Sequence, residues 1–143
     1  MIQRIQTIFL LLAAGAALGL FALPLATTSD AKADSALFAD ATFNIMDAPV
    51  LMGAFALAGI LLLVNIFLFN NRKLQMTLTK VGLFLTGVGI GASAYLYFSD
   101  QAADAATPAA GVALPILALI FGILAHRYIN KDEKLVRSVD RLR

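Results

Sequence analysis

The chain has 143 residues, of which 60% are apolar and only 14% charged, against about a quarter charged in ordinary soluble domains, so lipid is the expected solvent for most of it. The absence of cysteine excludes disulfides, thiolate nucleophiles, thiolate zinc sites and iron–sulfur clusters. A single histidine leaves little for acid–base catalysis, and a net charge of +2 conceals a strong segregation of charge along the chain.

Four stretches contain no Asp, Glu, Lys or Arg: Ile5 to Ser29, Ala48 to Asn71, Val81 to Ser99, and Ala105 to His126. A helix rises about 1.5 Å per residue and the hydrocarbon core is about 30 Å thick, so about 20 apolar residues make a span. The chain therefore reads as an all-α polytopic membrane protein, with four transmembrane helices over about 5–27, 48–69, 76–98 and 108–129. These form a bundle over residues 1–129, followed by a cytoplasmic basic amphipathic helix over 130–143.

The first stretch begins like a secretory signal peptide, with Arg4 ahead of the apolar run and Ala31-Lys32-Ala33 as a cleavage motif. Signal-peptide cores run about 7–15 residues, and Ile5 to Thr28 exceeds that, so it reads as a retained span. The connection Thr27 to Asp47 is acidic but carries Leu37, Phe38, Phe43, Ile45 and Met46, which are expected to dip into the outer membrane interface. Asp47 followed by Pro49 predicts a helix start with Asp as N-cap. Asn70 to Gln75 is too short to do anything but pair the second and third spans as an antiparallel hairpin. Lys80 can lay its stem along apolar surface, and "YLYF" (Tyr95 to Phe98) matches an interfacial aromatic belt.

Thr107-Pro108 predicts the start of the fourth helix, while Pro115 inside that span and Pro24 near the outer end of the first are expected to free carbonyls and bend their helices. Beyond the membrane, Tyr128, Leu135, Val139 and Leu142 recur at three- and four-residue steps. Lys134, Arg137, Asp140 and Arg141 take the other face, so the tail reads as an amphipathic helix.

With the spans marked, the termini and middle loop hold ten basic residues against three acidic ones, and the other two loops one basic against six acidic. Lys and Arg are retained on the cytoplasmic side of short loops, which places both termini inside.

"MIQRIQTIFLLLAA" at the start, "NRKLQ" in the inner turn and "KDEKLVRSVDRLR" at the end together resemble a family of short four-span membrane proteins from Bacteroidetes, catalogued as a domain of unknown function (DUF 4293 type). The resemblance implies a bacterial inner-membrane protein. It carries no activity, substrate or catalytic residue.

No ionisable residue lies deep in a span, where pumps and proton relays place theirs. Asn65, Thr86 and Ser93 are the main polar side chains there, expected to form interhelical hydrogen bonds. One histidine excludes a bis-histidine haem, so His126 reads as an interfacial residue. Asp30, Asp34 and Asp40 match no calcium loop. No catalytic set, cofactor site or metal site is expected, and the chain reads as a non-enzyme.

Small residues supply the sharper signal. Gly15 with Gly19 and Gly87 with Gly91 form GxxxG pairs, and Ala118 with Gly122 a small-xxx-small pair, which serve either tight packing inside the bundle or docking on another membrane protein. In the tail, Arg127, Lys131, Lys134, Arg137 and Arg141, with Leu135, Val139 and Leu142, fit anionic lipid or a protein partner. Nucleic acid is not expected, because acidic residues are interleaved and few aromatics are present to stack bases. Two functions are carried forward. One is a non-catalytic accessory or scaffolding subunit of an inner-membrane complex; the other is a small oligomeric channel or transporter lined by glycine backbone, Thr86, Ser93 and Asn65.

Overall fold

The computed structural model describes residues 5–140. Arg4, Arg141, Leu142 and Arg143 lie outside the described residues, as do the readings that involve them.

Four helices form the body: α1 (Ile5–Gly19), α2 (Pro49–Asn65), α3 (Arg72–Ser99) and α4 (Ala113–Asp140). Each packs on its neighbours in chain order, and α1 also packs on α4, so the four close into an up-and-down ring. One end of the bundle collects the start of α1, the α2–α3 turn and the end of α4, and it is basic; the other end carries the two acidic connections.

The helical bundle agrees with the sequence reading, with revisions to the individual spans. The helical segments Pro49–Leu68, Arg72–Ser99 and Ala110–Val139 are long and apolar enough to cross a membrane; α1 is a shorter apolar helix. The expected span over 5–27 stops being helical after Gly19, and at about 1.5 Å per residue its 15 residues reach only about 22 Å. Even so, α1 is an integral part of the bundle: Leu10, Ala13 and Ala17 are fully buried, and Phe9 stacks on Tyr128 of α4 at 5.5 Å. Tyr128 thus belongs to the bundle rather than to the exposed stripe of the tail.

Pro24 lies beyond the end of α1 and bends nothing. Pro115 sits at the third residue of α4, where a missing N–H leaves no intrahelical bond unmade. Thr107-Pro108 does not start a helix but forms a strand. Ala48, not Asp47, is the N-cap of α2, with Pro49 at its first position; Asp47 instead accepts the Asn44 N–H at 2.6 Å and closes a 3₁₀ turn over Ile45–Asp47.

At the acidic end the connections build a cap. Strand β1 (Ala26–Thr27) lies between β2 (Thr42–Phe43) and β3 (Thr107–Pro108), both antiparallel to it, with Ala26 opposite Phe43 and Pro108. Pro108 cannot donate to a ladder and lies in an edge strand, where that is tolerated. Bonds from Leu25 N to Phe43 O (2.7 Å), Thr28 N to Ala41 O (2.9 Å) and Ala109 N to Leu25 O (2.9 Å) extend the pairing. Ala41 adopts φ 66° where this connection turns back.

Leu37, Phe38, Phe43 and Ile45 are buried beneath the cap, against Leu20, Leu51 and Phe55. The expectation that they dip into the membrane interface is therefore corrected. Only Met46 of that set remains exposed. Burying the other four in the chain's own core removes their apolar surface from water without any help from lipid.

At the basic end, α4 continues without a break to Asp140, so the predicted tail helix is an extension of the fourth span. Its 28 residues reach about 42 Å, beyond the roughly 30 Å of a hydrocarbon core. Asn71 caps α3 by accepting the Leu74 N–H at 3.1 Å.

Candidate functional site

Three surfaces come into question: the cap with the cavity beneath it, the outward face of α3, and a groove at the basic end.

Asp100 and Ser35 fasten the cap. The Ser35 hydroxyl donates to the Asp100 carboxylate at 2.8 and 2.9 Å while accepting the Phe38 N–H at 2.9 Å. Ala102 N–H adds a further bond to Asp100 at 2.8 Å. Burial alone would raise the Asp100 pKa, but the hydrogen bonds from Ala102, Ser35 and Leu37 outweigh it and hold the carboxyl below its ordinary value. Asp47 moves the other way: burial raises its pKa, the Asn44 N–H opposes this, and the nearby Asp40 charge adds to the rise.

A carboxyl whose folded-state pKa is depressed stabilises the fold above the unfolded-state pKa, and that stabilisation is lost as pH falls through the folded value. Asp100→Asn is therefore expected to lower thermal stability at neutral pH by the equivalent of about 1 kcal/mol, a modest value because the site is partly solvated. The variant should also lose stability less steeply than the parent between pH 6 and pH 3, about the ordinary carboxylate range. Melting curves across that range check both, and parallel slopes would remove Asp100 as the acid-sensitive fastening.

Under the cap, between α3 and α4, lies an apolar cavity of about 280 Å³, bordered by Leu25, Phe43, Ile90, Tyr97, Val112 and Ile116 among others. Its hydroxyls are already committed, since Ser93 donates to Gly89 O at 2.7 Å and Tyr97 to Ala103 O at 3.2 Å. It can receive an apolar group and offers no acid, base or nucleophile.

The small residues of the sequence reading divide into two sets. Ala118 and Gly122 are buried; a Cβ on Gly122 would meet Leu83 at 2.6 Å, and one on Gly19 would meet Leu114 at 3.3 Å. These three serve packing within the bundle. Gly15, Gly87 and Gly91 have nothing within 4 Å of an added Cβ and face outward.

Two other glycines of α3 do pack against α2: Gly82, which the sequence reading passed over, against Leu62, and Gly89, between the GxxxG pair, against Phe55. With about 100° per residue, Gly89 and Gly91 are about 200° apart around the helix. The outward face of α3 also carries Phe84, Tyr95 and Phe98, which are 71, 72 and 80% exposed.

The polar residues inside the spans behave differently from one another. Asn65 bridges helices as expected, donating to Gln75 O at 3.0 Å and Thr79 Oγ1 at 2.7 Å, while Gln75 Nε2 donates to Asn65 O at 3.1 Å. The hydroxyls of Thr86 and Ser93 turn back onto their own helix, at Gly82 O and Gly89 O, so the interhelical bonds expected of them are not made. Short β-hydroxyls reach the carbonyl four residues back more easily than a neighbouring helix.

At the basic end, α3 and α4 border a groove of about 350 Å³ lined by Met76, Lys80, His126, Asn130, Glu133, Lys134 and Arg137. Arg137 donates to Glu133 at 2.9 Å, the one ion pair among the described residues. Arg127 and Lys131 lie on exposed positions of α4 outside the groove, and Leu135 and Val139 are 57 and 61% exposed. No group of three or more His, Asp or Glu positioned for a metal ion occurs among the described residues.

A closed ring of apolar helices, three of them long enough to cross a membrane, with polar connections gathered at the two ends, places the chain in the class of small helical bundles compatible with a membrane. More particularly, it belongs to the family described as "Domain of unknown function (DUF4293)", whose model matches residues 2–142. No curated protein and no solved structure matches the chain.

Proposed function

We propose that the chain is a multi-pass protein of a bacterial cytoplasmic membrane, with both termini inside, and that it acts as a non-catalytic accessory or scaffolding subunit. In this reading the outward face of α3 docks on another membrane protein. The observation that carries it is the open face at Gly87 and Gly91 on a helix whose other glycines, Gly82 and Gly89, are filled by Leu62 and Phe55.

Only 17% of the apolar stretch of α3 is buried, against 39% in α2 and 28% in α4. Glycine facing lipid forgoes the close backbone approach that gives small-residue helix contacts their dispersion energy. The segregation of basic residues to one end supports the orientation. The exposed Leu135 and Val139 on the extension of α4 offer a second contact beyond the bilayer.

Copurification from native membranes in mild detergent tests the proposal. The parent chain is expected with a stoichiometric membrane partner. Gly87→Leu with Gly91→Leu should leave the fold intact, because the space is open, and should abolish recovery of that partner. Recovery of the parent as a lone monomer would overturn the reading, as would a glycine variant that keeps its partner.

A further inference from the structure

We infer that the groove between the first turns of α3 and the far half of α4 binds an anionic, phosphate-bearing group of the kind found in phospholipid headgroups. Met76 and Lys80 are four residues apart on α3 and line one wall. His126, Asn130, Glu133 and Arg137 follow at steps of four, three and four on α4 and line the other, with Lys134 beside them. At about 350 Å³ the groove falls within the ordinary range of small-ligand sites.

Its charge is uncompensated. Three cations, Lys80, Lys134 and Arg137, face one carboxylate, and that carboxylate is engaged by Arg137. Lys80 and Lys134 have no anionic partner among the described residues. Ammonium groups are donors only, so what is missing is an acceptor carrying negative charge. His126 adds a polar atom in need of a partner, since its Nδ1 is buried without one.

Depth distinguishes this groove from the diffuse basic surface of the tail. His126 is the last residue of the fourth charge-free stretch, and Lys80 immediately precedes the third, so the groove begins where the apolar surface ends. A phosphate held there would leave attached acyl chains against the charge-free faces of α3 and α4. A lipid headgroup and a free phosphate share the same recognition chemistry, and the test separates them.

The full chain, purified in mild detergent, is titrated with phosphatidylglycerol, phosphatidylcholine or inorganic phosphate. Binding is read by native mass spectrometry and by the shift in melting temperature. Each lysine at a membrane surface is worth about a fivefold gain in affinity for anionic lipid. Phosphatidylglycerol is therefore expected to bind the parent at least about tenfold more tightly than phosphatidylcholine, and K80Q/K134Q should bring the two nearly level.

R127Q/K131Q removes the same charge from exposed positions outside the groove and should keep most of the preference. Competition by inorganic phosphate at equal potency would identify a soluble phosphate as the occupant; failure to compete would identify the lipid. No preference in the parent would overturn the inference without recourse to any variant. Equal loss in the two double variants would also overturn it, by showing that only diffuse charge acts. Should the glutamine pair lose its fold, K80Q and K134Q are read singly, each expected to lose about fivefold.

Discussion

Gly111→Ala is expected to destabilise the protein by about 2–4 kcal/mol and to open the cap. A Cβ at this position would lie 2.8 Å from the Pro24 carbonyl carbon and 3.0 Å from Leu23 O, and closer still to Pro24 O. All three are backbone atoms that no rotamer change can move. The same Pro24 O accepts the Gly111 N–H at 3.1 Å, so relieving the clash means pulling β1 away from the turn that precedes α4. Overpacking of this kind costs about 1–3 kcal/mol, occasionally more, and the lost hydrogen bond adds about 1.

Because β1 is the central strand, its displacement loosens both flanking connections. Faster proteolysis within residues 28–47 should therefore accompany the fall in melting temperature. Gly87→Ala is the control. With open space around it and alanine the better helix former, it should be neutral or stabilising by up to about 1 kcal/mol. Equal melting of the parent and Gly111→Ala would show that the approach of these two backbones does not hold the cap.

The helices were legible because charge-free runs and their lengths are local properties of the sequence. The brief Asn70 to Gln75 turn likewise required α2 and α3 to pair. The cap was not legible. Its strands are two residues long and take their partners from distant connections, with Ala26 opposite both Phe43 and Pro108, so no periodicity announces them. Without that pairing Thr107-Pro108 reads as a helix start and Phe38 and Phe43 as interface anchors, whereas both rings are buried with their centroids 6.2 Å apart.

Glycine spacing picks out a helix face but not the direction in which it points, and so left packing and docking both open for Gly87 and Gly91; in the structure nothing lies within 4 Å of a Cβ added at either. The groove at the basic end escaped for a related reason. Lys80 and Lys134 come from different helices, and the charge pattern of the tail alone does not bring them together.

Asn65→Leu should cost about 1–3 kcal/mol, read as loss of helicity on titration with a denaturing detergent. Asn65 is fully buried at the end of α2 and holds α3 through two donated bonds, to Gln75 O and Thr79 Oγ1. Leucine can fill the space but donates nothing, and hydrogen bonds between membrane helices average about 0.6 kcal/mol with a ceiling near 1.7. Gln75→Leu should cost a similar amount, because it leaves the Asn65 main-chain carbonyl without the Gln75 Nε2 donor.

The two changes made together should cost about the sum of the single losses. Each side-chain amide donates to the main-chain carbonyl of the other residue, which substitution leaves in place, so neither single change removes the bond made by the other. Asn65 Oδ1 and Gln75 Oε1 are buried and accept no hydrogen bond, so each amide carries an acceptor whose burial is uncompensated and whose removal offsets part of its own loss. A double-mutant cycle measures the coupling directly. A coupling energy well beyond about 0.5 kcal/mol would overturn this and mean that the placement of one amide depends on the other, whereas single losses near zero would mean that α2 and α3 are joined at this end by apolar packing alone.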